Sequence, residues 1–374
     1  MILEYKCSNF KSIKDEVIFS MLASSDTRHS EKLLHFQNKE FNRLSAVCGA
    51  NGSGKSTLFD SLLFLASFAT GELSESGDFI NVTHHMLLDK DVTSKFFIQF
   101  EKNNIRYAYG IDVTRDKVMK EYLYNFKVGK EVLIFERDAE EYKFDENYKS
   151  SLEKFVSMSN VKRSFLEIAA NFSNNEDIKN VFRFFKEDLV VYSDSSMDNW
   201  KKYSFYRMIS DMKFKAMLVK IFNVLGVDVK DMDVCEDKIL FDYGMFSVDL
   251  DSESNGIRKL FEILCLFLYS MLNDKVLIWD GVDVGLHSNV LRALVDMFND
   301  RVDSKAQFIF STHDISILSL SVFRIDQIWF TELDKSERKT ELYSLYDFKN
   351  VRNTDNICKN YIKGRYGAVP DIIK

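Results

Sequence analysis

With 374 residues, the chain exceeds the usual size of a single domain and points to one large α/β domain carrying an insertion, or to two domains. Its composition, 46% hydrophobic and 29% charged, excludes the disordered and fibrous classes. A formal charge of −7 excludes a protein that coats nucleic acid through bulk basicity, though it permits a local basic patch.

In chain order, residues 44–48 (LSAVC) form a short apolar run closed by glycine, the pattern of a buried strand. Residues 56–69 (STLFDSLLFLASFA) follow as a helix that is apolar on most faces, suited to lying under a sheet. From 96 to 134 the segments FFIQF, IRYAYGIDV and VLIF alternate with polar turns and predict an antiparallel sheet. Between 136 and 235 the composition shifts to amphipathic, highly charged helical stretches, expected to form an inserted helical lobe. Beyond Lys238 come a long apolar helix at 256–272 and the strands KVLIW, AQFIFS and DQIWFTEL. Helix alternating with short apolar strand predicts a parallel sheet.

The sole proline is Pro370 and glycines number 14, so no flexible linker separates these parts. The expected division is 1–135, 136–235 and 236–374, with the first and third segments completing one domain. Cys7, Cys48, Cys235, Cys265 and Cys358 are scattered and never form CxxC, which reads as a reduced, cytoplasmic protein. No segment reaches the roughly 18 apolar residues of a membrane helix, and the start lacks a secretory pattern.

The segment GANGSGKST, from Gly49 to Thr57, fits GxxxxGK[ST] between a predicted strand and a predicted helix. Glycines let the backbone curl so that successive N–H groups face phosphates, helped by the positive helix N-terminus. Asn51, Gly52, Ser53, Gly54, Lys55, Ser56 and Thr57 are the candidate ATP-binding residues. Lys55 is expected on the β- and γ-phosphates, and the Ser56 hydroxyl on Mg²⁺.

A second acidic strand is required for that metal, and KVLIWD supplies it. Asp280 falls at the carboxyl end of a buried strand and is the second candidate Mg²⁺ ligand. His313 follows another buried strand, AQFIFS, and is expected beside the same sheet edge.

Taken in order, NFKSIKD, GANGSGKST, RYAYGIDV, SESNGIRKL, VLIWDGVDVGLH, IFSTHD and GRYGAVP make the chain resemble the ABC-type ATP-binding proteins of the SMC, RecF and Rad50 kind. It resembles more closely the bacterial RecF-like AAA family ATPases that accompany nucleases in abortive-infection and phage-defence systems. The resemblance implies a P-loop head of ABC-ATPase type, with a mixed or parallel core sheet, an antiparallel β subdomain and an inserted helical lobe. It implies that Ser254 and Gly256 open a signature helix facing the γ-phosphate held by a second copy, hence an ATP-dependent homodimer or higher oligomer. Read without it, SESNG is a polar helix cap.

One departure from the family pattern stands out. Relatives carry glutamate directly after the Walker B aspartate, where it prepares the attacking water; here the residue is Gly281. Asp283 is the nearest carboxylate and the candidate substitute, with His313 as the other candidate catalytic residue. ATP binding is therefore the firmer expectation, and hydrolysis the weaker.

Gln99 reads as a plain strand residue, and the adjacent His84 and His85 as solvated. Lys201, Lys202, Arg207, Lys213, Lys215 and Lys220, interleaved with Trp200, Tyr203, Phe205, Tyr206 and Phe214, would suit single-stranded nucleic acid or an acidic partner. A solvated helix pair with core aromatics is the favoured reading. The expected function is an ATP-gated switch for a partner effector, a nuclease or toxin, triggered by nucleic acid or a phage protein. The alternatives are a DNA-repair ATPase and a hydrolysis-deficient scaffold.

Overall fold

A computed structural model describes residues 1–73, 79–127, 129–192, 211–235, 238–283, 286–352 and 354–370. The chain opens with β1 (Ile2–Ser8), β2 (Val17–Ser20), a small hairpin of β3 (Leu34–Phe36) and β4 (Lys39–Phe41), then β5 (Leu44–Gly49) leading into α1 (Lys55–Thr70). Five strands follow: β6 (Ser94–Lys102), β7 (Ile105–Val113), β8 (Val118–Lys127), β9 (Lys130–Asp138) and β10 (Glu141–Lys143). Helices α2 (Glu146–Leu152), α3 (Phe165–Phe172) and α4 (Glu176–Arg183) lead to β11 (Leu189–Tyr192). After 193–210 come α5 (Met212–Val224), β12 (Asp231–Cys235), β13 (Lys238–Asp242) and β14 (Ser247–Asp249). The remainder is α6 (Asn255–Leu272), β15 (Val276–Trp279), α7 (Ser288–Asn299), β16 (Gln307–Thr312), β17 (Ile328–Asp334), β18 (Lys339–Ser344) and α8 (Ile357–Ile362).

Two large sheets result. The central one runs β11-β15-β16-β5-β17-β18, parallel except for β18, which pairs antiparallel to β17. The other runs β10-β9-β8-β7-β6-β1-β2 and is antiparallel throughout. Together with the helices they form an α/β fold of the class the sequence predicts.

β11 and β15 are apolar at every position, and β5 and β16 at most, because both faces of the central sheet are covered. Successive side chains point to opposite faces. Val47, Val191, Ile278, Ile309 and Trp329 join one core with α1, α3, α4 and the antiparallel sheet. Ala46, Val190, Leu277, Phe308 and Phe330 join a second core with α5, α6, α7 and α8. Helix α1 is apolar on most faces because it lies between the two sheets, where its sequence had suggested a place under one.

The stretch 136–235 departs from a purely helical insertion. Its helices are short, their apolar faces (Leu152, Phe165, Ile168, Ile178, Val181) share a core with Phe100 and Tyr109 of the antiparallel sheet, and β11 is the edge strand beside β15. Amphipathic periodicity marked the helices, but it cannot say what their apolar faces cover.

Two buried carboxylates fasten these helices to the antiparallel sheet. Glu121 of β8 accepts from the Tyr109 hydroxyl (3.0 Å), the Ser164 hydroxyl (2.9 Å) and the backbone N–H groups of Phe165 (2.7 Å) and Leu166 (3.1 Å), so it serves as the N-terminal anion of α3. Asp177 of α4 accepts from Tyr107 (2.8 Å), Tyr148 (2.6 Å) and Lys127 (2.7 Å). Burial alone would raise the Asp177 pKa, but these donors outweigh it and hold the carboxyl below its ordinary value. The tyrosines of RYAYGIDV are thus cross-links between sheet and helices. Glu121→Ala strands four donors and the nearby Arg137, and it is expected to cost about 3 kcal/mol in urea unfolding. A loss well under 1 kcal/mol would contradict the role assigned to Glu121.

Candidate nucleotide-binding site

Strand β5 ends at Gly49, where the chain must curl while β17 runs alongside. A Cβ there would lie 2.4 Å from the Thr331 carbonyl oxygen and 2.6 Å from Ser53 Oγ. Gly52 and Gly54 take left-handed backbone angles (φ 75° and 109°), and a Cβ on Gly54 would sit 2.1 Å from Thr340 Oγ1. The loop is therefore walled by Thr331 of β17 and Thr340 of β18. Ser53 Oγ is 2.6 Å from Thr331 Oγ1, while Thr340 Oγ1 donates to the Ser53 carbonyl at 3.0 Å. Ser12 lies between Thr57 (3.1 Å) and Thr340 (2.8 Å), joining the start of α1 to the same wall.

Lys55 is 6% exposed and arches back over the loop, its Nζ donating to the carbonyls of Gly49 (2.9 Å) and Ala50 (3.0 Å). Burial lowers its pKa, with Cys48, Asp280 and Asp283 pulling the other way. No side chain caps the first turn of α1, so its N–H groups face outward with the positive end of a 16-residue helix. Asn51, Gly52 and Ser56 are exposed, Ser53 is buried and Thr57 half-buried.

Asp280 follows β15 directly. Its Oδ1 accepts from the Ser311 hydroxyl (2.5 Å), which in turn accepts from the Gly281 N–H (2.7 Å), and the Val282 N–H bonds the Ser311 carbonyl (3.0 Å). The turn is thus stapled to the end of β16. Gly281 sits at φ 69°, a left-handed conformation that a glutamate would hold only under strain. Asp283 Oδ1 accepts from the His313 N–H at 3.0 Å, so one carboxylate oxygen is fixed beside the exposed imidazole. Asp280 and Asp283 act electrostatically on both Lys55 and His313, so these four residues share one neighbourhood.

Ser254 and Gly256 stand apart. Ser254 caps α6, its Oγ accepting from the Ile257 N–H (3.3 Å), and both residues are exposed. Helix α6 returns through a short turn into β15, so its N-terminus lies toward the same sheet edge as the phosphate loop. Among the described residues, no hydrogen bond joins it to 49–57.

Other sequence readings resolve differently. His85 is not solvated: it is 1% exposed, with Nε2 3.1 Å from the Arg338 carbonyl and Nδ1 accepting from Leu87 N–H, because its loop folds against the β17–β18 turn. Gln99 pairs with Glu4 across β1 and β6. Phe214 is buried and Lys215 pairs with Asp231 and Asp233, while residues 200–207 of the proposed basic-aromatic cluster lie outside the described residues. Ser12 and Ser311 fall inside the landmarks NFKSIKD and IFSTHD and Thr331 inside the predicted strand DQIWFTEL, but nothing in the sequence singled out these hydroxyls or that of Thr340.

No cluster of three or more metal-ligating side chains occurs among the described residues. Mg²⁺ needs no such cage, since it retains waters and takes one or two protein oxygens with phosphate. The glycine cradle, the uncapped helix start and the Ser56 and Asp280 oxygens fit a Mg²⁺-nucleotide. Likewise, no helix among the described residues is long and apolar enough to cross a membrane.

Gly54→Ala should weaken nucleotide binding by more than about a hundredfold, with partial recovery on adding Thr340→Ala; wild-type affinity in the single variant, measured by calorimetry, would refute the cradle. Burial, then the Lys55 charge, hold His313 below the ordinary imidazole value against Asp283 and Asp280. The unfolded chain binds this proton more readily, so keeping His313 neutral contributes stability above about pH 6.5, lost as pH falls below it. Lys55→Ala should raise the His313 midpoint in an NMR titration; an unmoved midpoint would show that the two are not coupled.

Comparison with known proteins places these features. No curated protein matches the chain. Among solved structures it is similar to an SMC head bound to the C-winged helix domain of ScpA (TM-score 0.48, 14% identity, 92% of this chain and 97% of the other). It is also similar to the SMC head domain from Thermotoga maritima (TM-score 0.48, 13% identity, 92% and 98%). Residues 44–319 match the family described as "AAA domain, putative AbiEii toxin, Type IV TA system". That match takes in the glycine loop, the Asp280 turn and His313, and the chain belongs to this family of AAA-type P-loop ATPases.

Proposed function

We propose that this protein is an ATP-binding head that pairs with a second copy around Mg²⁺-nucleotide and acts as a switch for a partner effector, a nuclease or toxin, in bacterial anti-phage defence. The observation that carries the reading is the pairing of a complete phosphate cradle with an exposed signature turn that, among the described residues, makes no hydrogen bond to the phosphate loop. A second copy, related by a two-fold axis, would present Ser254 and Gly256 to the nucleotide on the first. The family description, which names a putative toxin of a toxin–antitoxin system, supports the defence context.

In this reading Lys55 leaves the Gly49 and Ala50 carbonyls for the phosphates, and Ser56 and Asp280 hold Mg²⁺, which would supply charge neutralisation at the β- and γ-phosphates. His313 bears on the γ-phosphate. Asp283, anchored through one oxygen to His313 N–H, offers the other to water. The left-handed Gly281 favours a second reading as well, a hydrolysis-deficient scaffold whose nucleotide serves only to join two chains.

Phosphate release and molar mass, measured together with ATP and Mg²⁺, test both. The switch predicts a mass doubling that Lys55→Ala abolishes. Slow phosphate release that Asp283→Asn removes without weakening ATP binding would assign the water-directing role to Asp283; doubling without release would leave the scaffold. A monomer under all conditions would overturn the dimeric switch.

A further inference from the structure

The C-terminal segment 354–370 touches both ends of the site. At one end α8 packs on the turn Ile315–Ile317, immediately after His313 and Asp314, and Cys358 lies within electrostatic range of Asp314. At the other, the Ala368 carbonyl accepts from the backbone N–H of Ala50, the second residue of the phosphate loop, at 3.1 Å. The Tyr361 hydroxyl donates to the same carbonyl at 2.6 Å. The Ala50 carbonyl, on the far side of that residue, accepts from Lys55 together with the Gly49 carbonyl.

The contact is built into the fold at a cost. Gly364, Gly367 and Ala368 all take left-handed angles (φ 75°, 65° and 56°), a conformation unfavourable for alanine. Ala368 is nevertheless 1% exposed and fixed. A Cβ on Gly367 would lie 2.6 Å from both Glu332 Oε2 and the Tyr343 hydroxyl. The Tyr343 hydroxyl is shared between Glu332 (2.7 Å) and the Tyr366 carbonyl (2.9 Å). Tyr361 and Tyr366 each stack on Phe330, with centroids 5.6 and 5.9 Å away, and Phe330 pairs with Cys48 of the strand that ends in the loop. Packing alone does not require a buried carbonyl aimed at Ala50, and a strained residue held so firmly marks a position with a task.

We propose that α8 and the turn 364–370 form a strap that positions the Ala50 residue of the phosphate loop and couples it to the loop carrying His313. Through this strap, the movement of Lys55 from the Ala50 carbonyl to a phosphate changes the hold on Ala368, and the change reaches the His313 loop by way of α8. Gly367, Tyr361 and Ala368 are positioning residues; none reaches nucleotide. The proposal rests on the nucleotide-binding reading above.

The test compares full-length wild type, Tyr361→Phe and Gly367→Ala, with Phe172→Ser, a change at an exposed position on α3 (59% exposed), as the control. ATP–Mg²⁺ affinity, the nucleotide-free melting midpoint and amide exchange are measured on each. Gly367→Ala should weaken ATP about tenfold and Tyr361→Phe severalfold, with the Tyr361→Phe midpoint nearly unchanged and the control binding as wild type. In wild type, ATP should change exchange in peptides covering 313–318 and 361–370 as well as 49–57; in Tyr361→Phe the changes at 313–318 and 361–370 should disappear while those at 49–57 remain. Should Gly367→Ala fail to fold, Tyr361→Phe decides alone. Wild-type affinity in Tyr361→Phe, with ATP altering exchange only at 49–57, would overturn the strap while leaving nucleotide binding intact. No ATP binding by wild type would overturn both.

Discussion

The fold turns on a steric constraint at the end of β5. Two glycines, Gly49 and Gly54, lie against two threonines, Thr331 and Thr340, at distances that leave no room for a single carbon. Neighbouring strands stand about 4.8 Å apart, so a loop that curls back against β17 and β18 can pass only where its own side chains are absent. The same threonines then satisfy Ser53, and through Ser12 they tie in Thr57. Helix α1 is aimed, and Lys55 arched, by a wall contributed from nearly three hundred residues away in sequence.

The other half of the site obeys the same logic from the opposite side of the sheet. Ser311 at the end of β16 binds both Asp280 and the Gly281 N–H, fixing a turn whose left-handed glycine stands where the family resemblance implies a glutamate. The missing carboxylate is therefore part of a backbone geometry as well as a side-chain difference. Asp283, drawn in by the His313 N–H, places negative charge two residues further along the same loop, against the loop that follows β16.

Much of this was legible in the sequence. The P-loop spacing, the apolar run before Asp280 and the strand before His313 located three strand ends, because buried parallel strands read as short apolar runs and glycine positions follow from backbone need. The antiparallel sheet was visible in its alternation, although β8 was not singled out. The hydroxyls of Ser12, Ser311, Thr331 and Thr340 were not legible, since each matters through a partner far away in sequence and none alters local periodicity. His85 was misjudged for a related reason: a polar stretch gives no sign that it will be folded under a distant turn. Stretch 136–235 showed helices but not that β11 would seat itself beside β15.

The order of strands in the central sheet has a consequence for synthesis on the ribosome. Its members leave the exit tunnel at intervals, β5 early, β11 and β15 much later, β17 and β18 close to the end. The glycine loop emerges within the first sixty residues, yet its wall is not made until Thr340 is available. Contacts this distant in sequence assemble late and slowly. A nascent chain therefore carries the nucleotide motif without a nucleotide site until Thr340 has been made, and competence arrives only when the whole sheet has closed around it.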